Sequence, residues 1–465
     1  MYYPRLIDSY LLEWASRTSH KPLLLRGARQ VGKSSAVQHL GESFEQYVEL
    51  NFEKSQAFVS LFTQCDLDVR RIVPQIESLV GKHIVPGKTL LFLDEVQACP
   101  QAIMALRFFK EDLPELHVIA AGSLLEFALD ELPTFGVGRI HSMYMYPMTF
   151  DEFLVACGEQ LLLKARREAS AVNPLPQPLH EKLVSLLRNF ILVGGMPEVV
   201  SQWVKTHDYL VCQEVQDDIV FAYEDDFPKY RKKVDPALLR LTLRSAAVQA
   251  TKKFVYAEVG SGYKVSEVKK ALELLSKAGI LIPVTSTAAN GLPLGSEANP
   301  AYRKMLILDS GLMLRLLHMS TGDATKFAEH ILTSKAAELV NRGPMAEMVA
   351  GLELLHYNTP NLKQELYYWL RLTKNAQAEI DYVVPYQQFV LPIEVKASTQ
   401  GGMKSLWAFM RDKHLSRAIR CSLENFGSYV YTDALDAEAE RQVIVCPLYA
   451  LSQMGSMLKA STMED

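Results

Sequence analysis

Between residues 21 and 147 short apolar runs at 22–26, 47–52, 89–94, 116–122 and 139–146 alternate with stretches of helical periodicity. Strands that alternate with helices predict a three-layer α/β domain with a mostly parallel sheet. Leu90–Leu93 has no polar break, as expected of a strand covered on both faces. Residues 1–20 read as a short amphipathic helical lead-in. From 148 to 235 the strand signal disappears and the chain reads helical, interrupted by the proline-rich turn NPLPQP at 173–178. Between 236 and 325, Val265, Val268, Leu272, Leu275 and Ala278 fall on one helical face, Gly279 stops that helix, and ILIPVT follows as a strand. Helices followed by a short strand pair predict a winged helix–turn–helix. From about 326 a helix precedes three apolar strands, 366–371, 379–385 and 389–396, and further helix and strand segments follow.

The turn after the first strand carries the clearest chemistry. Residues 22–34 read PLLLRGARQVGKS, in which Gly27, Gly32, Lys33 and Ser34 complete a phosphate-binding loop. Gly27 and Gly32 permit backbone angles that a Cβ forbids, so the amides from Gly27 through Ala28, Arg29, Gln30, Val31 and Gly32 to Ser35 can turn onto phosphate oxygens. A helix starting near Gly32 points its positive end at the anion. Lys33 is placed to reach the β- and γ-phosphates and Ser34 to ligate Mg²⁺. The run LLFLDE ends in Asp94, placed to hold the Mg²⁺ hydration shell, and Glu95, placed to polarise an attacking water. That pair predicts an ATP hydrolase rather than a kinase. The strand Leu116–Ala121 ends in Gly122-Ser123, where Ser123 reads either as a polar group near the γ-phosphate or as the N-cap of a helix over 124–129.

Bulk composition narrows the class. Forty-nine per cent hydrophobic and 22% charged residues are those of a soluble globular chain. No apolar run approaches a membrane span, and the N-terminus lacks the basic and apolar regions of a secretory signal. The six cysteines are scattered without a Cys-x-x-Cys pair, which argues against structural zinc and disulfides and suits a cytoplasmic location. A net charge of −4 gives no global pull toward nucleic acid, so DNA contact has to come from local patches. The cluster KYRKK at 229–233 follows Glu224–Asp226 and reads either as locally paired or as a DNA patch. Lys264, Lys269 and Lys270 lie on the candidate recognition helix.

A second constellation lies in EIDYVVPYQQFVLPIEVKAS, residues 379–398. Two strands joined by a turn at 385–388 form a hairpin. Glu394 and Lys396, two apart, project from one face, with Asp381 on the partner strand. Carboxylates that hold Mg²⁺ beside an ammonium group suit metal-assisted phosphodiester cleavage. Glu347, on the helix GPMAEMVAGLELL, can complete the site from below. The alternative is a charged hairpin whose Glu394 and Lys396 pair across a solvated face.

RGARQVGKS, LLFLDEVQ, GGMPE at 194–198, LILDSGLM at 306–313 and AEIDYVV followed by LPIEVKAS occur in this order. Together they resemble a widespread prokaryotic family of AAA+-type ATPases with a C-terminal DUF4143 domain similar to PD-(D/E)xK nucleases. The resemblance covers about residues 3–450. It implies an ATPase core at 1–147, a helical lid at 148–235, a winged helix–turn–helix at 236–325 and a restriction-endonuclease-like α/β domain at 326–465. Asp381, Glu394, Lys396 and Glu347 match the nuclease pattern of the family. Gly138-Arg139 matches a Gly-Arg that the family carries after the polar strand end. This makes Arg139 a candidate to sense γ-phosphate, in cis or from a neighbouring subunit of a homo-oligomer, the alternative being a surface arginine that opens a strand. Asn51 either couples ligand state to Glu95 or caps a turn. Ala28 stands where the family often has proline, a change in loop stiffness rather than chemistry. The activity implied is ATP turnover coupled to a DNA-directed, metal-dependent nuclease-like domain. The alternative is a nucleotide-dependent switch or scaffold whose nuclease-like domain is silent.

Overall fold

The computed structural model describes residues 2–123, 125–131, 138–230, 233–317, 343–373, 376–396, 402–433 and 436–460. Leu124 of the helix predicted after Ser123, Arg231 and Lys232 of the basic cluster, and the predicted start of the C-terminal domain at 326–342 lie outside them. The chain divides into two compact units, the first of Met1–Met148 with Lys277–Ile280 and Asn358–Lys363.

The first unit is α/β. Its five strands are β1 (Leu23–Arg26), β2 (Gln46–Asn51), β3 (Thr89–Asp94), β4 (His117–Ala121) and β5 (His141–Tyr144). They stand in the order β2-β3-β4-β1-β5, every neighbour parallel. All five apolar runs read from the sequence are strands. Leu91 and Leu93 of β3 face a cluster that includes Phe62, Ile72, Ile76, Ile103 and Leu106 from helices Gln56–Gln64, Val69–Val80 and Pro100–Asp112. Leu90 and Phe92 alternate to the opposite face and are equally buried. Helix Lys33–Gly41 lies against β2, β3 and β4. Burial on both faces is why β3 has no polar break until Asp94.

The N-terminal helix Leu6–Ser16 buries Ile7, Leu11 and Trp14. The residue ahead of it, Arg5, donates to the carbonyls of Val31 (2.9 Å) and Tyr146 (2.8 Å), so the lead-in braces the phosphate loop.

The second unit comprises Thr149–Ser276, Leu281–Tyr357 and Gln364–Asp465. Helices Phe150–Ala156, Gln160–Glu168, Gln177–Val193, Pro197–Thr206 and Tyr209–Asp226 occupy the helical stretch. Two of the quoted motifs meet here: Asp309 accepts from Gly195 N at 2.6 Å and, capping helix Ser310–Leu316, from Leu312 N at 2.9 Å. Gly194 has φ +76°, and a Cβ there would lie 2.2 Å from Asp309 Oδ1, so GGMPE and LILDSGLM serve packing. Helix Val265–Lys277 buries Val268, Leu272 and Leu275 as predicted, whereas Val265 is exposed.

The remaining strands are β6 (Leu281–Thr287), β7 (Ala298–Ile307), β8 (Leu366–Thr373), β9 (Ala376–Tyr386), β10 (Phe389–Val395), β11 (Arg417–Ser422), β12 (Gly427–Asp433) and β13 (Asp436–Pro447). They form one mixed sheet in the order β12-β13-β11-β10-β9-β8-β6-β7. The hairpin β6–β7, read from the sequence as the wing of a separate module, instead continues this sheet through parallel pairing of β6 with β8. Helix Lys404–Asp412 packs Leu406, Phe409 and Met410 against Trp369, Ile380 and Val383. Among the described residues no helix is long and apolar enough to cross a membrane.

Candidate nucleotide site and a buried cluster of acids and lysines

The phosphate loop joins β1 to helix Lys33–Gly41. Gly27 has φ +147°, Gln30 +64° and Gly32 +99°. A Cβ at Gly27 would lie 2.1 Å from the carbonyl oxygen of Met145, so glycine is required there. Ala28 and Val31 are buried while Arg29, Gln30 and Ser35 are not, which fixes the loop from beneath and leaves its outer side open. Lys33 Nζ donates to the carbonyls of Gly27 (2.9 Å) and Ala28 (2.7 Å), folded across the loop. Burial lowers the Lys33 pKa to about 8, against the opposing pull of Glu95 and Asp94.

Ser34 Oγ donates to Asp94 Oδ1 at 3.0 Å, and Asn51 Nδ2 donates to Asp94 Oδ2 at 3.0 Å. Burial, then the neighbouring Glu95, pushes the Asp94 pKa up. A hydroxyl and a carboxylate converging at the mouth of the loop are hard oxygen donors that suit Mg²⁺. Asn51 therefore orients Asp94 rather than Glu95, and its Oδ1 also accepts from the amides of Glu53 and Lys54. Glu95 follows with φ +50°. Its Oε2 accepts from Gln97 Nε2 at 2.7 Å, with Ser123 N and Oγ each 3.4 Å away. Ser123 thus stands beside Glu95, at the end of β4. Gln97 closes the quoted motif LLFLDEVQ, but the sequence reading gives it no role.

Arg139 lies elsewhere. In the parallel register His141 pairs with Leu23 and Tyr144 with Arg26, so Arg139 precedes β5 at the end of the sheet where the strands begin. The phosphate loop leaves from the other end. Arg139 is exposed and pairs with Glu111, which also accepts from Arg107 Nε at 3.0 Å. That placement removes the cis reading of Arg139: its own phosphate loop is out of reach. Lys229, at the start of the basic cluster, pairs with Asp226 at 2.7 Å, the local pairing weighed in the sequence.

In the second unit the β9–β10 register pairs Tyr382 with Ile393, which puts Asp381 opposite Glu394. Asp381 Oδ2 accepts from Val395 N at 2.8 Å. Lys396 Nζ donates to Glu394 Oε1 at 2.5 Å, while Glu394 Oε2 is buried with no hydrogen-bond partner among the described residues. The carboxylates whose oxygens lie within 4.8 Å of one another are Glu347, Glu379 and Asp381. The predicted trio Glu347, Asp381 and Glu394 is therefore corrected: Glu379 takes the third place, and Glu394 is engaged by Lys396. The signal for Glu379 was present, since it shares a strand face with Asp381 by two-residue spacing.

Lys304 of β7 is 1% exposed at its side chain, donates to Glu347 Oε1 at 2.7 Å and pairs with Glu379. Its Nζ lies 4.8 Å from the ring centroid of Tyr368. Burial works against the Lys304 charge, but Glu347, Asp381 and Glu379 outweigh it and hold the ammonium above its ordinary range. Burial, then Asp381, raises the pKa of both Glu347 and Glu394. Burial likewise raises that of Asp381, against Lys304.

Residues 19–154 match the family model of an AAA domain, AAA_14. Residues 184–323 and 342–451 match DUF8612 and DUF4143, two domains of unknown function. The chain thus carries an AAA-type P-loop ATPase domain and a DUF4143 domain. No curated protein matches the chain. Similar solved structures include the Walker-type ATPase PABY2304 of Pyrococcus abyssi, 16% identical, covering 68% of this chain and 96% of its own, with a TM-score of 0.44. The Aeropyrum pernix ORC1 protein in complex with DNA is 12% identical, covers 70% of this chain and 94% of its own, and has a TM-score of 0.29. The Saccharomyces cerevisiae Hsp104–ADP complex is 12% identical, covers 59% of this chain and 38% of its own, and has a TM-score of 0.28.

Proposed function

We propose that the chain binds ATP with Mg²⁺ at the loop Gly27–Ser34, hydrolyses it, and uses the cycle to control an acid and lysine site in the DUF4143 domain directed at DNA. The observation that carries the hydrolase reading is the convergence of Ser34, Asp94 and Glu95 at the mouth of that loop. The amides of the loop receive the phosphates, and Lys33 exchanges the carbonyls of Gly27 and Ala28 for the β- and γ-oxygens. Ser34 and Asp94 hold the Mg²⁺. The bound metal supplies charge neutralisation at the phosphoryl oxygens. Glu95, oriented by Gln97 and Ser123, positions the attacking water and takes its proton. In this reading residues 148–235 are the lid and 236–325 a winged-helix segment whose hairpin β6–β7 is built into the larger sheet, in a cytoplasmic protein that works as a homo-oligomer. Glu347, Glu379 and Asp381 are the metal-holding acids of the nuclease-like set, with Glu394 and Lys396 paired beside them.

The test compares wild type with Lys33→Ala. ATP and Mg²⁺ should raise the melting temperature of wild type by mass action and leave the variant unmoved. Equal shifts would place the nucleotide elsewhere. Turnover and cleavage are then measured on linear, circular and single-stranded DNA. A second reading, a nucleotide-dependent switch whose nuclease-like domain only binds partners, is favoured by one observation: Lys304 sits on the carboxylates that a metal needs.

A further inference from the structure

Glu347, Glu379 and Asp381 are a donor set of hard oxygens, suited to a divalent cation by chemistry and by spacing. As arranged, however, they hold an ammonium group. Lys304 reaches them from β7, a strand far from β9 in the chain and brought to it through the ladder β7-β6-β8-β9. Its side chain is almost wholly enclosed, with Tyr368 beside it and Glu347 and Glu379 as ion partners. Lys396 is hydrogen-bonded to Glu394 and reaches the trio only as a charge near Asp381, with less weight than Lys304. Without a cation the largely enclosed carboxylates of Glu347 and Asp381 would carry a desolvation penalty, while Glu379 keeps 34% of its side chain in solvent. Lys304 offsets that penalty, and the same contacts block the positions a metal would use. Glu394 Oε2, buried and unpartnered, is a second mark of a cluster whose acceptors outnumber its cations.

We propose that Lys304 is a tethered cation that plugs the acidic cluster of the DUF4143 domain, so that a divalent metal enters only when Lys304 is displaced from Glu347 and Glu379. This rests on the proposed reading of the cluster as a metal site and names how that site is regulated. It also explains how one sheet can keep the full set of acids and lysines and still be silent at rest.

The experiment titrates the full chain with Mn²⁺, followed by calorimetry and by the electron paramagnetic resonance signal of free Mn²⁺. The samples are wild type, Lys304→Met, Lys304→Arg and the double variant Lys304→Met/Asp381→Asn. To keep Mn²⁺ at the phosphate loop out of the count, all samples also carry Asp94→Asn. Lys304→Met should bind one Mn²⁺ about tenfold or more tighter than wild type, Lys304→Arg should stay weak, and the double variant should lose the gain. Tight binding by wild type equal to that of Lys304→Met, and abolished by Asp381→Asn, overturns the plug while leaving the metal site standing. Binding by neither wild type nor Lys304→Met overturns the metal site and the plug together. Circular dichroism reports folding. If Lys304→Met does not fold, Lys304→Gln takes its place in the same titration, with the same outcomes. The nucleotide reading is tested apart from this one, by the Lys33→Ala comparison, so either can fail alone.

Discussion

Gln97 donates from Nε2 to Glu95 Oε2 at 2.7 Å, and its own Oε1 is buried against Gly122, where a Cβ would come within 2.1 Å. The glycine at the end of β4 thus leaves room for the amide that holds the water-positioning carboxylate. Glu95 itself sits at φ +50°, in the left-handed region, so its backbone does not follow the strand and its side chain depends on such contacts for direction.

Gln97→Ala should therefore lower ATP turnover by about tenfold, because a misplaced base loses rate even when it is chemically intact. ATP affinity should not change, since Gln97 Nε2 donates to Glu95 and Glu53 and not to the loop. Gln97→Glu should lose more, through repulsion of Glu95. Paired measurements of kcat and of ATP Kd decide it. Unchanged kcat in Gln97→Ala would leave the contact without a catalytic part.

The folded Lys33 gives a pH signature. Its pKa falls to about 8 in the free protein, below its ordinary 10.5, so the fold favours the neutral amine. The sign follows: this group costs stability below about pH 8, and the cost is relieved as pH rises from there toward 10.5. ATP needs the ammonium, so binding must restore the proton above pH 8. Affinity should weaken by about tenfold between about pH 7 and pH 9, with proton uptake on binding at the higher pH. Calorimetry in two buffers of different ionisation enthalpy measures both. A flat Kd over this range would mean that Lys33 stays charged in the empty loop.

The parts that were legible in the sequence are those set by local pattern. β1 to β5 follow from apolar runs, the phosphate loop from its glycines, and the Asp381–Glu394 juxtaposition from the two strands and their turn. What was not legible comes from partners far apart in the chain. Arg5 braces Val31, and Lys304 meets Glu379 only because β6 pairs in parallel with β8, and β8 antiparallel with β9. Gln97 is close in sequence, yet it reaches back to Glu95 only because Glu95 leaves the strand geometry. No periodicity in 281–307 announces that its hairpin will extend the sheet of residues 366–447. Arg139 shows the reverse case: the motif is legible, and the parallel register decides where it can act.

Leu23 pairs with His141, and Gly27 lies four residues beyond Leu23, roughly 13 Å along the strand direction, with Arg139 two residues further back. An arginine so placed can serve a γ-phosphate only across a subunit boundary. Arg139→Ala should then bind ATP with unchanged affinity and hydrolyse it poorly, and wild-type turnover per subunit should rise with protein concentration. Glu95→Gln should also bind ATP and lose turnover by roughly a hundred- to ten-thousandfold. Mixing the two inactive variants should restore activity, because at equal amounts about a quarter of head-to-tail interfaces join an intact Glu95 to an intact Arg139. Rescue that peaks near equal mixing supports action in trans. With subunit exchange verified by fluorescence, no rescue at any ratio would confine Arg139 to its pair with Glu111, at the foot of the sheet.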